Sequence, residues 1–139
     1  MKITLCTILL TLVYTNQDFN DHRIILIHAD NEHEEKMNQQ VEKFLQEKLK
    51  LKDRKLAIFT FHNNELKNVF NTDSESEKFI NEFISNHNFE DENFSVRLFG
   101  LDGGEKSKFF KIVKPEIIYN QIDQMPMRRA ELRRENKKD

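Results

Sequence analysis

A chain of 139 residues with 33% charged residues and three glycines has the length of one domain and is neither fibrous nor low in complexity. Its formal net charge of −2 creates no overall field that would recommend nucleic acid as a partner. Twelve phenylalanines and no tryptophan predict a core of Phe, Ile and Leu, and the apolar residues fall in clean blocks, which disfavours disorder.

Lys2 and the thirteen uncharged residues 3–15 read as a secretory signal peptide over residues 1–15, too short to span a bilayer. Tyr14, Thr15 and Asn16 make no clean small-x-small cleavage site, and a buried amino-terminal strand or helix is the competing reading. The expectation is a secreted or periplasmic protein with no integral membrane span. Cys6 is the single cysteine, so residues 16–139 hold no thiol for a disulfide or for catalysis.

"RIILIH" (residues 23–28) is a continuous apolar run that suits a strand buried on both faces. Met37, Val41, Phe44, Leu45 and Leu49 then follow helical spacing over residues 34–50. "KLAIFTF" (residues 55–61) is a second buried strand, and strand–helix–strand in this compass predicts a parallel pair with a right-handed crossover. Residues 62–73 read as a polar link. The next helix has Thr72 with Glu75, or Ser74 with Glu77, as its capping box and Phe79, Ile80, Phe83 and Ile84 as its apolar stripe. "FSVRLFGLDGGEKSKFFKI" reads as a hairpin turned at Asp102-Gly103-Gly104, a turn signal and not a phosphate loop. Pro115 opens a third helix with the face Ile118, Ile122 and Met125, which Pro126 ends.

The order β-α-β-α-β-β-α, a parallel pair and then an antiparallel hairpin, is that of the thioredoxin core. The expected fold class is therefore α/β, thioredoxin-like, with one four-stranded mixed sheet covered by helices over residues 16–126. Residues 127–139 would add a basic carboxy-terminal helix or tail with six basic and three acidic residues.

"SVRLFGLDGGEKSK" followed by "IDQMPMRRAELRREN" resembles a family of short exported bacterial proteins, the domain of unknown function 4174. Related domains occur in animal sushi-repeat-containing proteins and in coiled-coil-domain-containing protein 80. The resemblance runs over residues 23–134 and is most specific over residues 123–131. It implies a peroxiredoxin-like thioredoxin fold and secretion, and no established activity. In thioredoxin-fold enzymes the reactive cysteine lies where the first strand turns into the first helix, at a helix amino terminus that stabilises the thiolate. That turn here is Ala29-Asp30-Asn31-Glu32-His33-Glu34, and residues 91–94 lack the proline that usually precedes the third strand. Thiol peroxidase and disulfide exchange lack their attacking group.

Two sites remain. Parallel strands end at one edge, so His28 and His62 are expected side by side with His33, Asp30 and Glu32, and imidazole plus carboxylate suits Zn²⁺, Cu²⁺ or Ni²⁺. The bland reading of the same residues is strand-end histidines beside an acidic turn that complements a helix dipole. At the basic end, Arg128 and Arg129 are candidates for a ligand or partner, against a solvated helix whose Met127 and Leu132 pack on the domain; a fixed Arg–carboxylate pair explains the motif equally well. The expected function is an exported binding or interaction module without catalysis, its partner an unknown protein or extracellular ligand. The alternative is a metal-assisted enzyme, or a metal-binding protein, using the turn over residues 28–34 and His62.

Overall fold

The structure, a computed structural model, describes residues 20–137, and the signal-peptide expectation for residues 1–15 lies outside them. The central strand is β1 (Arg23–Ala29), buried at all seven positions. Side chains alternate across a strand. Ile25, Ile27 and Ala29 therefore join one apolar cluster, while Ile24 and Leu26 join another on the opposite face. Each fully buried Ile, Leu or Phe contributes about 1.5–3 kcal/mol, and this two-sided burial is why the run is continuous rather than alternating.

The expected helix over residues 34–50 is two helices, α1 (Glu34–Leu45) and α2 (Lys48–Asp53). The break at Gln46 and Glu47 rephases the apolar stripe: Leu51 is fully buried, whereas Leu49 is 83% exposed. Gln40 of α1 is buried and bonds Val113 through both ends of its amide, at 2.9 and 2.8 Å, so no polar group of that side chain is left without a partner. Strand β2 (Leu56–His62) pairs parallel with β1, Arg23 opposite Leu56 and Ala29 opposite His62.

The polar link is a strand, β3 (Glu65–Phe70), antiparallel to β2, so the sheet has five strands and not four. Polar letters are compatible with β3 because it lies at an edge, with side chains facing water. Asn63 and Asn64 make its two-residue turn at φ 52° and 57°, the pair of positive φ values that a type I′ hairpin demands and that Asn tolerates. Asn64→Val is expected to destabilise by about 1–2 kcal/mol and Asn64→Gly to be neutral or stabilising, read from urea midpoints.

Helix α3 (Ser74–Asn86) is capped by Asp73 and Ser76, each accepting from the other's backbone N–H, one residue away from either expected box. Strand β4 (Phe94–Phe99) runs antiparallel to β1 on its other side, and β5 (Glu105–Phe109) completes the sheet order β3-β2-β1-β4-β5. Helices α4 (Pro115–Asp123) and α5 (Pro126–Asn136) each carry proline in the first turn. Met37, Phe44, Leu51, Ile118 and Ile122 cover one face of the sheet from α1, α2 and α4. The other face is covered by α3, through Phe79, Ile80 and Phe83.

Candidate functional site

The parallel pairing places the carboxyl ends of β1 and β2 at one edge, as expected. The register decides more. His28 lies opposite Phe61, and His62 lies opposite Ala29. With a side-chain period of two, this one-residue stagger sends the two histidines to opposite faces of the sheet. His28 is on the α3 side, 4.5 Å from the Phe89 ring and 5.9 Å from Phe61. His62 is on the α1 side, where its Nδ1 donates to Ala29 O at 3.0 Å and its Nε2 lies 3.7 Å from Glu34. His33 precedes α1 and its Nδ1 donates to Asp30. The hydrogen bond to His33 is the chief reason that the Asp30 carboxyl lies below the ordinary range, with the amide of Glu32 assisting. His33 and His62 thus belong to two separate acid–histidine pairs. Among the described residues, no three His, Cys, Asp or Glu side chains gather into a group that could hold a metal.

His28 is 6% exposed, and its Nδ1 is buried with no hydrogen-bond partner. Burial is the main influence on its pKa and lowers it from 6.5; Arg97 and His62 push the same way, against Glu92 and Asp30.

An open cleft of about 490 Å³ begins at this ring. Asp30 and Asn31 supply one wall, Phe61 with the Asn63–Asn64 turn another, and His87, Asn88, Phe89, Glu90 and Glu92 of the loop after α3 close the third side. Beneath the loop lies Arg97 of β4, whose side chain is fully buried. Its guanidinium donates to Glu92, to Glu105 at 3.0 Å and to Ser95 at 2.7 Å, and stands 5.3 Å from the Phe89 ring centroid and 5.4 Å from that of Phe83. Nε2 of His87 is 3.0 Å from both Glu92 Oε1 and Arg97 Nη2. With Nε2 bare, His87 accepts from the arginine there; with a hydrogen on Nε2, it donates to the carboxylate. Burial works to raise the Glu92 pKa, but the hydrogen bonds from Arg97 and His87 outweigh it and hold the carboxyl below its ordinary value.

Sequence reasoning passed over Arg97, Glu92 and His87. The available signal was a charge inside the apolar run "FSVRLF". A buried arginine requires carboxylates, and Glu92 and Glu105 flank it within eight residues.

At the opposite edge, Arg128 of α5 is buried, not offered to a partner. It donates to Asp53 O at 2.8 Å and Asp53 Oδ2 at 2.7 Å, and reaches Asp123 at 3.2 Å and Glu131 at 3.3 Å. Glu131 also meets Arg23 at 3.4 Å, and Arg54 grips Asp123 at 2.9 and 3.1 Å. Of the two residues expected to pack on the domain, Leu132 is half-buried and Met127 is not. Met127 is 38% exposed while the arginine beside it is inside, because the backbone oxygen and carboxylate of Asp53 offer a fork to a guanidinium and nothing to a thioether. Arg129 is exposed.

No described helix is long and apolar enough to cross a membrane. No curated protein and no solved structure matches the chain. The model of the family described as Domain of unknown function (DUF4174) matches residues 16–131, which takes in the motif at residues 95–108 and the second motif as far as Glu131, and the chain belongs to that family.

Proposed function

We propose that the protein is an exported binding module on a thioredoxin-like core, and that the cleft at the carboxyl ends of β1 and β2 takes a small ligand or the end of a partner without transforming it. The observation that carries this reading is a cleft of about 490 Å³ in which two of the three lining carboxylates are already paired within the protein, Glu92 with Arg97 and Asp30 with His33. In open α/β sheets ligands enter at this edge. Among the described residues no Ser, Thr or Tyr hydroxyl is hydrogen-bonded to a histidine, so the imidazoles have no side-chain nucleophile to activate. The thioredoxin-like reading is supported by the strand order β2-β1-β4-β5, in which β1 and β2 are parallel and the other two pairs antiparallel, with β3 an edge addition. Asp30 to His33 then stand where redox relatives place cysteine. Export, a bacterial source and kinship with the sushi-repeat and coiled-coil-domain-containing proteins rest on the leader-like residues 1–15 and on the two motifs.

Amide-resolved NMR with a fragment library tests the reading. Saturable shifts are expected at residues 28–31, 61–64 and 87–92, with every fragment recovered unchanged. Shifts elsewhere, or turnover, overturn it. The metal-assisted alternative draws on the pairs His33–Asp30 and His62–Glu34. A metal at 100 times its dissociation constant would raise the thermal midpoint by roughly 10 °C. No such rise is expected with Zn²⁺; a rise of that size that His33→Ala abolishes replaces the binding reading with the metal one.

A further inference from the structure

The two segments that frame the cleft are strongly one-signed. Asp30, Glu90 and Glu92 line it, and Glu32 and Asp91 lie in the same two loops, whereas Glu34 turns to His62 on the other face. Neither lysine nor arginine lines the cleft. The nearest guanidinium, that of Arg97, lies wholly beneath the loop and is matched by Glu92 and Glu105. The opposite edge carries Arg23, Arg54, Lys55, Arg128, Arg129, Arg133 and Arg134 against Asp53, Asp123, Glu131 and Glu135, so it is the more basic end although the formal net charge of the chain is only −2. A concave, one-signed mouth focuses field lines and concentrates counter-charge.

A second observation points to an occupant. His28 is more than nine-tenths buried, lines the cleft, and keeps a ring nitrogen with no partner. Whichever tautomer is present, one of the two nitrogens of a neutral imidazole accepts a hydrogen bond, and no described residue donates one to His28. Phe61 and Phe89 stand beside it, their centroids 5.1 Å apart. One face of Phe89 already serves a cation, the guanidinium of Arg97.

We propose that the ligand of this cleft is a primary ammonium on an apolar stem, held by Asp30 and Glu90 with its stem against Phe61 and Phe89 and an N–H directed at His28. This rests on the binding reading above and narrows it to a chemical class. Glu90 is the natural probe residue, because it is exposed and its carboxylate has no ion-pair partner among the described residues.

Three compounds on one five-carbon stem test the proposal by NMR titration of the full chain: 1,5-diaminopentane, 1,5-pentanediol and glutarate. The diamine is expected to shift the amides of residues 28–31 and 87–92 saturably, and more weakly as salt is raised. The diol and the diacid are expected to leave these amides in place. Glu90→Gln should weaken the diamine about fivefold, the upper range for an exposed ion pair. Nα-acetyl-lysine methylamide in parallel separates the two sources of the same chemistry; tighter binding than the diamine identifies a lysine side chain, looser binding a free polyamine. Saturable binding of the diol or glutarate at the cleft overturns the ammonium assignment and leaves the binding reading intact. A cleft unmoved by all three compounds also overturns the assignment, and the fragment screen then decides whether the binding reading falls with it. Diamine shifts spread over the acidic surface, or an unchanged affinity in Glu90→Gln, overturn it as well.

Discussion

Arg97→Met lowers the stability of the protein by about 3–5 kcal/mol, the cost of leaving one partner of a buried pair alone, and the thermal midpoint by roughly 10–20 °C. The arginine is fully buried and Glu92 is 11% exposed, so water replaces little of what the carboxylate loses. Adding Glu92→Met to Arg97→Met should restore a large part of the loss, since two apolar side chains replace two charges. A double variant no more stable than the single one would show that the unpaired carboxylate is not the source. The pH dependence follows from the same groups. The folded-state pKa of Glu92 is depressed, so its contribution is present above the unfolded value, about 4.3, and is lost as pH falls through the folded one. In Arg97→Met the principal depressing partner is gone while burial remains. The carboxyl then rises, and the gap between variant and wild type narrows towards pH 4. His28 acts at higher pH. Its folded pKa is lowered, so below about 6.5 the unfolded chain takes up this proton first, and stability falls until the folded value is reached. His28→Phe should flatten that part of the profile, measured as urea midpoints between pH 7.5 and 5.5.

Arg128→Ala is expected to cost about 3 kcal/mol, the lower range for removing one partner of a buried ion pair, and to release α5 from the body of the domain. The side chain is 1% exposed and joins three elements: it bonds the end of α2 through Asp53, the end of α4 through Asp123 and its own helix through Glu131. Burial alone would lower its pKa, and the bonds to Asp123 and Asp53 reverse this and raise it, so the charge is stabilised where it sits. Without it, Asp53 O loses a charged donor and Glu131, 11% exposed, keeps Arg23 and a distant Lys55. Arg129→Ala, one residue on and exposed, should change stability by no more than about 0.5 kcal/mol. Hydrogen exchange over residues 126–136 separates the two: fast in Arg128→Ala, unchanged in Arg129→Ala. Equal losses in both would mean that the helix is held by its overall charge and not by this fork.

Much of the architecture was legible. The runs at 23–28 and 55–61 are continuous because both faces of β1 and β2 are covered, and the stripes of α1, α3 and α4 keep helical spacing because each packs one face. Strand β3 was not legible from composition, since an edge strand need not be apolar; its signal lay in Asn63-Asn64, a turn pair read as polar filler. The helix break at Gln46 carried no Gly or Pro, and only the sheet beneath decides that Leu51 and not Leu49 is the buried leucine.

The candidate site divides along the same line. Residue type and order by themselves determined that no thiol chemistry is available to residues 16–139, that His28 and His62 end parallel strands, and that an acidic turn follows the first of them. Tertiary structure alone decided which face each histidine takes, because a stagger of one residue between neighbouring strands reverses side-chain direction without altering the sequence pattern of either. It alone decided, too, that Arg128 is internal. Whether a charge is a surface group or a buried clamp depends on carboxylates and carbonyls that the fold brings from elsewhere, and for Arg128 the decisive partner is Asp53, 75 residues away.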